Sequence, residues 1–408
     1  MDKQYLDNYI DIILSVGLNI QKDQCLVINS PIECSEFVFK VVKKAYEKGA
    51  KSVNVEWSDP TLTKLKYQYE DIDNFKTIQD FLVAKSEYQV DENYCFLSLD
   101  ALDSQALKGI DNDKLSTWQK TVHKYLYKKD DAIMNDKVSW CIASVPTLKW
   151  AQEVFPDSDD PVNDLWADIF KMTRADQDNP IKCWEEHINN LEHYAQIIND
   201  YQFDKLVFKN SLGTNLEVGL VDNYQFLAAK SINQTNKQSF IANIPTEEVY
   251  SMPHNKRTNG KVYASKPLSY NGNLIDEFWF EFKDGEVIDY DAKVGKEMLD
   301  SMLSVDEGAK RLGEVALVSY NTPISLSNHL FYTTLYDENA SCHIALGKAY
   351  PTTMKDGDSL DKETLSKLGC NDSAIHVDFM FGTPDLSVVG VDKNNNEVVL
   401  FKEGNFVI

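Results

Sequence analysis

The sequence predicts an α/β N-terminal domain with parallel βαβ units over residues 1–195. An α+β C-terminal domain rich in antiparallel hairpins is predicted over residues 196–408. Two rhythms and a length lead there. Apolar strands alternate with amphipathic helices in the first half, whereas Asn-Gly and Asp-Gly pairs punctuate alternating segments in the second. At 408 residues the chain exceeds what one simple core holds, so two domains are expected.

Tyr5, Tyr9, Ile12, Ile13 and Val16 recur at helical spacing and predict an amphipathic opening helix. Gln24 to Asn29 is a short apolar run suited to a buried strand. Phe37, Val38, Val41, Val42 and Ala45 then mark one helix face, and Gly49 stops that helix. Ser52 to Trp57 is a second strand, so the segment reads as a βαβ unit with parallel pairing and a right-handed crossover. Tyr94 to Leu99 and Val138 to Val145 extend the same pattern. Pro180 opens an acidic helical stretch that marks the domain boundary, and strand patterning resumes at Leu206. Leu212-Gly213-Thr214-Asn215, Asn259-Gly260, Asn271-Gly272 and Asp284-Gly285 read as hairpin turns, because tight two-residue turns need positive φ. Phe278 to Phe282 and Val287 to Tyr290 flank the last of them. A helix is expected from Lys293 to Leu312, with Gly313 as its stop.

Composition removes several functions. The chain carries 41 basic and 64 acidic side chains, a formal charge of −23, which repels phosphate backbones; nucleic-acid binding is excluded. No GxGxxG follows the first strand, where Asn29-Ser30-Pro31-Ile32-Glu33 sets an acid at the phosphate position. GxxxxGK[ST] is absent too, and the dinucleotide and nucleotide readings fall with it. No apolar run approaches the ~20 residues of a membrane span. The seven cysteines are odd in number, form no CxxC pair and sit mostly in apolar strands, which predicts reduced thiols in a cytoplasmic protein.

Seven histidines can be weighed one by one. His187 and His193 do not share a helical face and read as surface residues; His123 lies among lysines and reads as solvated. His254 and His329 fall in turn or loop segments. His376 differs. In Ala374-Ile375-His376-Val377-Asp378-Phe379-Met380, strand alternation puts His376 and Asp378 on one face and Ile375, Val377 and Phe379 on the other. That pair suits either a divalent ion or a plain His–Asp hydrogen bond. Other acids stand in similarly apolar places. Glu314 sits at the mouth of Val315-Ala316-Leu317-Val318, where an unpaired anion is costly. Glu247 and Glu248 follow Pro245, and Glu338 precedes His343 by five residues. Together these acids and imidazoles suit a two-metal site, in which a shared carboxylate holds ions ~3.5–4 Å apart.

Asn243-Ile244-Pro245-Thr246-Glu247-Glu248-Val249-Tyr250, Lys266-Pro267-Leu268-Ser269-Tyr270-Asn271-Gly272, Gly308 to Ala316, Asp337-Glu338-Asn339-Ala340-Ser341-Cys342-His343 and His376-Val377-Asp378-Phe379-Met380 closely resemble the M29 family of thermophilic-type metallo-aminopeptidases. The resemblance runs essentially end to end and is strongest from residue 240 onward. Tyr250-Ser251-Met252 departs mildly from the family's usual Phe-Thr-Ala. The resemblance implies a homodimer acting on peptides with a free N-terminus, with two divalent ions (Zn, Co, Mn or Mg) in the C-terminal domain. It implies Glu248, Glu314, His343, His376 and Asp378 as metal-site residues, and Tyr350 as the active-site tyrosine. Glu338 matches a family acid that serves as ligand or general base, and Glu247 is the other candidate base. A binuclear hydrolase of other amides or of phosphoesters would use the same ligands.

Overall fold

The computed structural model describes residues 2–101, 110–270 and 273–408. The chain divides into two compact units, 1–185 with 230–244, and 186–229 with 245–408. A single cut at residue 195 therefore does not describe it. Residues 230–244 return to the first unit because Asn243–Ile244 adds a parallel strand beside Trp140–Ser144, with Ile142 opposite Asn243.

The first unit is built on that sheet. Its strands run Ser52–Ser58, Cys25–Pro31, Cys95–Asp100, Trp140–Ser144 and Asn243–Ile244, every pairing parallel. The opening helix Lys3–Ile12 is capped by Asp2, whose carboxylate accepts from the Gln4 and Tyr5 amides. The expected βαβ unit is present: Phe37, Val38, Val41 and Ala45 of helix Ser35–Glu47 are buried, and Gly49 follows at φ 96°. All seven cysteines are free thiols, six of them buried. Among the described residues no helix is long and apolar enough to cross a membrane.

The second unit holds two antiparallel sheets. The larger has nine strands and contains the hairpin Asn273–Lys283/Glu286–Val294, turned by Asp284 and Gly285 at φ 50° and 81°. That is the double positive φ expected of Asp-Gly. Gly213 lies between the paired strands Lys205–Lys209 and Asn215–Leu220. Asn271-Gly272 lies outside the described residues; Leu268–Tyr270 and Asn273–Lys283 on either side of it pair antiparallel.

Two turn signals had other uses. Asn259-Gly260 is inside the strand Pro253–Tyr263, paired on both sides. Gly260 has φ 108°, and a Cβ there would collide with the Asn215 carbonyl oxygen. The glycine serves close backbone approach rather than a hairpin. Gly260→Ala is expected to lower the unfolding free energy by about 1–3 kcal/mol, read from urea melts; an unchanged midpoint would contradict this strain. Likewise the helix expected to reach Leu312 ends earlier, at Lys296–Leu303, and Gly313 belongs to the strand Leu312–Val318. There a Cβ would strike the carbonyls of Gly347 and Lys348. Burial of Leu312–Val318 along its whole length overrides the helical reading of its start.

The smaller sheet runs Glu248–Ser251, Leu312–Val318, His343–Gly347 and His376–Met380, all antiparallel. One face packs Val249, Val315, Leu317, Ile344, Leu346, Val377 and Phe379 into the core of the unit. Alternation turns Glu248, Glu314, His343, His376 and Asp378 to the opposite face.

Candidate metal centre

Register brings these side chains together. Glu314 stands opposite Ala345 and Ala345 opposite Asp378; Ala316 stands opposite His343, and Gly347 opposite His376. Ala316, Ala345 and Gly347 thus form a small-residue floor, and the longer acids and imidazoles converge above it. The His343 Nε2 atom lies 3.2 Å from Glu248 Oε2 and 3.6 Å from Glu314 Oε1. The His376 Nε2 atom lies 3.6 Å from Glu314 Oε2 and 3.4 Å from Asp378 Oδ1. Glu248, Glu314 and His343 form one group, and Glu314, His376 and Asp378 a second, each with donor atoms within 4.8 Å of one another. Glu314 belongs to both.

The imidazoles are oriented from behind. His376 Nδ1 donates to the Lys348 carbonyl at 2.7 Å, and His343 Nδ1 to the Ser341 carbonyl at 3.2 Å. Each ring therefore turns Nε2 toward carboxylate oxygens, the arrangement typical of metal-binding histidines. His343 Nε2 and Asp378 Oδ1 are buried without a well-formed hydrogen bond. Buried polar atoms of this kind call for a partner, and a nitrogen–oxygen donor set of imidazoles and carboxylates fits Zn²⁺, Co²⁺ or Mn²⁺.

The electrostatics show how crowded the acids are. Burial, with the charges of Asp378 and Glu248, pushes the Glu314 carboxyl up to about 7 against the favourable approach of the His343 ring. Burial opposes charge on His376, yet Asp378 and Glu314 outweigh it and raise the ring to about 9. Burial likewise opposes charge on His343, and Glu248 and Glu314 hold that ring well above its usual range. Asp378 is lowered: its pairing with His376 exceeds the burial penalty. The acids thus favour the charged form of each ring, and a divalent cation would compete with the proton for the same nitrogen.

Tyr350 packs its ring 4.8 Å from that of His376. Burial first, then Glu314 and Asp378, raise its hydroxyl above the ordinary tyrosine range. Glu338 lies outside the sheet, on the turn Glu338–Ala340. Burial, then Glu248 and Asp378, raise it well above the usual carboxylate range. Glu338 and Asp378 line a cavity together with Leu268, Tyr332, Asp337 and Met380. Glu247 stands outside both donor groups, buried, with His187 Nε2 3.5 Å from its carboxylate.

Several residues escaped the sequence reading. His187 is no surface residue: its side chain is only 12% exposed and Nε2 donates to the Thr246 carbonyl at 2.8 Å. His193 is exposed, as is the side chain of His123. His254 lies in a strand, where Nδ1 accepts from the Lys256 amide, and His329 packs edge-on against Phe331. Asp337 is buried, accepts from the Phe331 amide at 2.8 Å and is pushed by burial up to about 7. Its tandem acid pair with Glu338 was the available signal. Nothing local marked His187, whose partners are contributed by a segment some 60 residues away.

An antiparallel sheet with histidines and carboxylates gathered on one face, in a chain that also carries a parallel α/β unit, is the framework of a metal-binding protein. Residues 2–406 match the family described as thermophilic metalloprotease (M29). The chain belongs to the M29 family of metallo-aminopeptidases. It is 43% identical to Aminopeptidase 2 of Geobacillus stearothermophilus, over 98% of this chain and 97% of that one. With Aminopeptidase AmpS of Bacillus subtilis it shares 38% identity, over 99% and 98%. The solved structure of wild-type AmpT from Thermus thermophilus superposes with a TM-score of 0.92 at 32% identity, covering both chains fully.

Proposed function

We propose that the protein releases N-terminal residues from peptides at a two-metal site on the smaller sheet of its C-terminal unit. The observation that carries this is the pair of donor groups sharing Glu314. Glu248 and His343 would hold one ion and His376 and Asp378 the other, with Glu314 common to both donor groups. Charge supports the count: the carboxylates of Glu248, Glu314, Glu338 and Asp378 balance two divalent ions once both imidazoles are neutral ligands.

When bound, the ions supply Lewis acidity to the scissile carbonyl and to water. Glu338 takes the proton at its carboxylate and returns it to the leaving amine. Glu338 is preferred over Glu247 because it faces the acid cluster, whereas Glu247 faces His187. Tyr350, its hydroxyl kept protonated by burial and neighbouring acids, donates to the oxyanion. Asp378 and Glu338 line the cavity beside the donor groups. The M29 match and the aminopeptidase relatives favour the peptidase reading over the phosphoesterase one. The homodimer rests on family resemblance and is checked by sedimentation; the free thiols support a cytoplasmic site.

The test is metal analysis of the purified protein combined with aminoacyl anilides and phosphoesters, before and after chelation. Aminoacyl hydrolysis should vanish with chelator and return with Zn²⁺, Co²⁺ or Mn²⁺. Full activity in metal-free protein, or a preference for phosphoesters, would overturn the reading.

A further inference from the structure

We infer that Asn339 is a positioning residue of the metal site, holding Glu248 and Glu338 at a set separation by tying their two segments together. The inference rests on the metal-site reading above.

Asn339 is fully buried and uses both ends of its amide. Its Oδ1 accepts the Glu247 backbone N–H at 2.7 Å, and its Nδ2 donates to the Leu335 carbonyl at 3.0 Å. Glu247 is the covalent neighbour of Glu248, and Asn339 that of Glu338. One side chain therefore links the two segments whose acids meet at the site.

The link has work to do because like-charged carboxylates gathered at one site repel one another. Glu248 is fixed by the ladder of its strand, with Val318 opposite it. Glu338 has no such ladder: it follows the one-turn helix Thr334–Asp337 on a 3₁₀ turn. Holding such a short element against like charge needs a tie from outside it. An amide suits the task, offering acceptor and donor at fixed spacing without adding a charge.

The Glu247 segment is gripped from its other side too. His187, on the helix Pro180–Tyr201, donates to the Thr246 carbonyl at 2.8 Å and lies 3.5 Å from the Glu247 carboxylate. The order of contacts is His187, Thr246–Glu247, Asn339, with Glu248 and Glu338 each one residue from the line. On this account Glu247 acts by anchoring the segment, and proton transfer falls to Glu338 alone.

A double-mutant cycle tests the tie. Metal-stripped protein is titrated calorimetrically with Zn²⁺ and with Co²⁺, and each variant's metal-free melting temperature is recorded alongside. Asn339→Leu, similar in size without donor or acceptor, is expected to weaken binding by about 10–100-fold. In a Glu338→Gln background there is no second carboxylate for the tie to hold against Glu248, so the same substitution should cost less than about twofold. Equal losses in both backgrounds would mean that Asn339 serves only general stability, and the inference fails. Wild-type affinity in Asn339→Leu also sinks it.

Should Asn339→Leu not fold, His187→Leu at the more accessible end is run through the same cycle. The loss there should be about three- to tenfold, rescued by His187→Gln, which keeps a donor for the Thr246 carbonyl, and absent with Glu338→Gln. No rescue, or no difference between backgrounds, counts against the tie. A wild-type protein that binds no divalent cation would instead bring down the metal-site reading itself.

Discussion

Glu314→Gln is expected to abolish hydrolysis of aminoacyl substrates and to strip the protein of bound metal. Glu314 is the one residue common to both donor groups, so replacing it weakens both at once, whereas loss of Glu248 or Asp378 touches one. Glutamine keeps the side-chain shape and one carbonyl oxygen but removes the charge and the second anionic oxygen, so it cannot bridge two cations. A fall in kcat/KM on the order of 10³-fold, about 4 kcal/mol, is the anticipated scale. Metal content measured on the purified variant should drop in parallel. Unfolding is a separate matter, and stability measurements keep it apart. The substitution lowers by one the excess of acids around Glu314, so the metal-free variant should melt no lower than metal-free wild type. Metal-loaded wild type should melt well above both, because an ion that binds only the folded state stabilises it. A variant that keeps its metal and its activity would end the assignment.

Tyr350→Phe is expected to leave metal content intact and to reduce kcat by about 10²–10³-fold, the cost of one oxyanion donor, ~2.7–4 kcal/mol. The ring stays because phenylalanine fills the same place against His376, 4.8 Å away. Only the hydroxyl is lost. Since that hydroxyl is proposed to meet charge that develops in the transition state, KM should change little while kcat falls. A loss confined to KM would make Tyr350 a substrate-binding residue instead. A kcat within about threefold of wild type would remove it from the chemistry. The two substitutions separate cleanly: one removes the ions, the other leaves them and removes a donor.

How far the site could be read beforehand depends on the residue. His376 and Asp378 were legible because a period of two is a local property: their separation alone places them on one strand face. Glu314 was legible through cost, an acid beside a run buried from Leu312 to Val318. Asn339 was in view within a motif, but its use depends on the Glu247 amide, 92 residues distant, and no spacing rule reaches that far. His187 was misread for the same reason. Its Thr246 and Glu247 partners lie about 60 residues along the chain, and a lone helical histidine looks solvated until the segment that covers it is known.

The same division runs through the fold. Strand, helix and strand between Cys25 and Ser58 follow from apolar spacing and the stop at Gly49, all of it local, as does the Asp284-Gly285 turn with its two positive φ angles. Asn259-Gly260 and Gly313 carry equally clear local signals and went elsewhere, because in each case a distant backbone approaches where a Cβ would sit. The return of residues 230–244 to the first unit has no local cause either; it comes from a parallel edge beside Trp140–Ser144. Periodicity and turn chemistry act over a few residues and are written along the chain. Close approach, sheet registry and convergence of charge depend on what lies across space, and only the assembled chain supplies that.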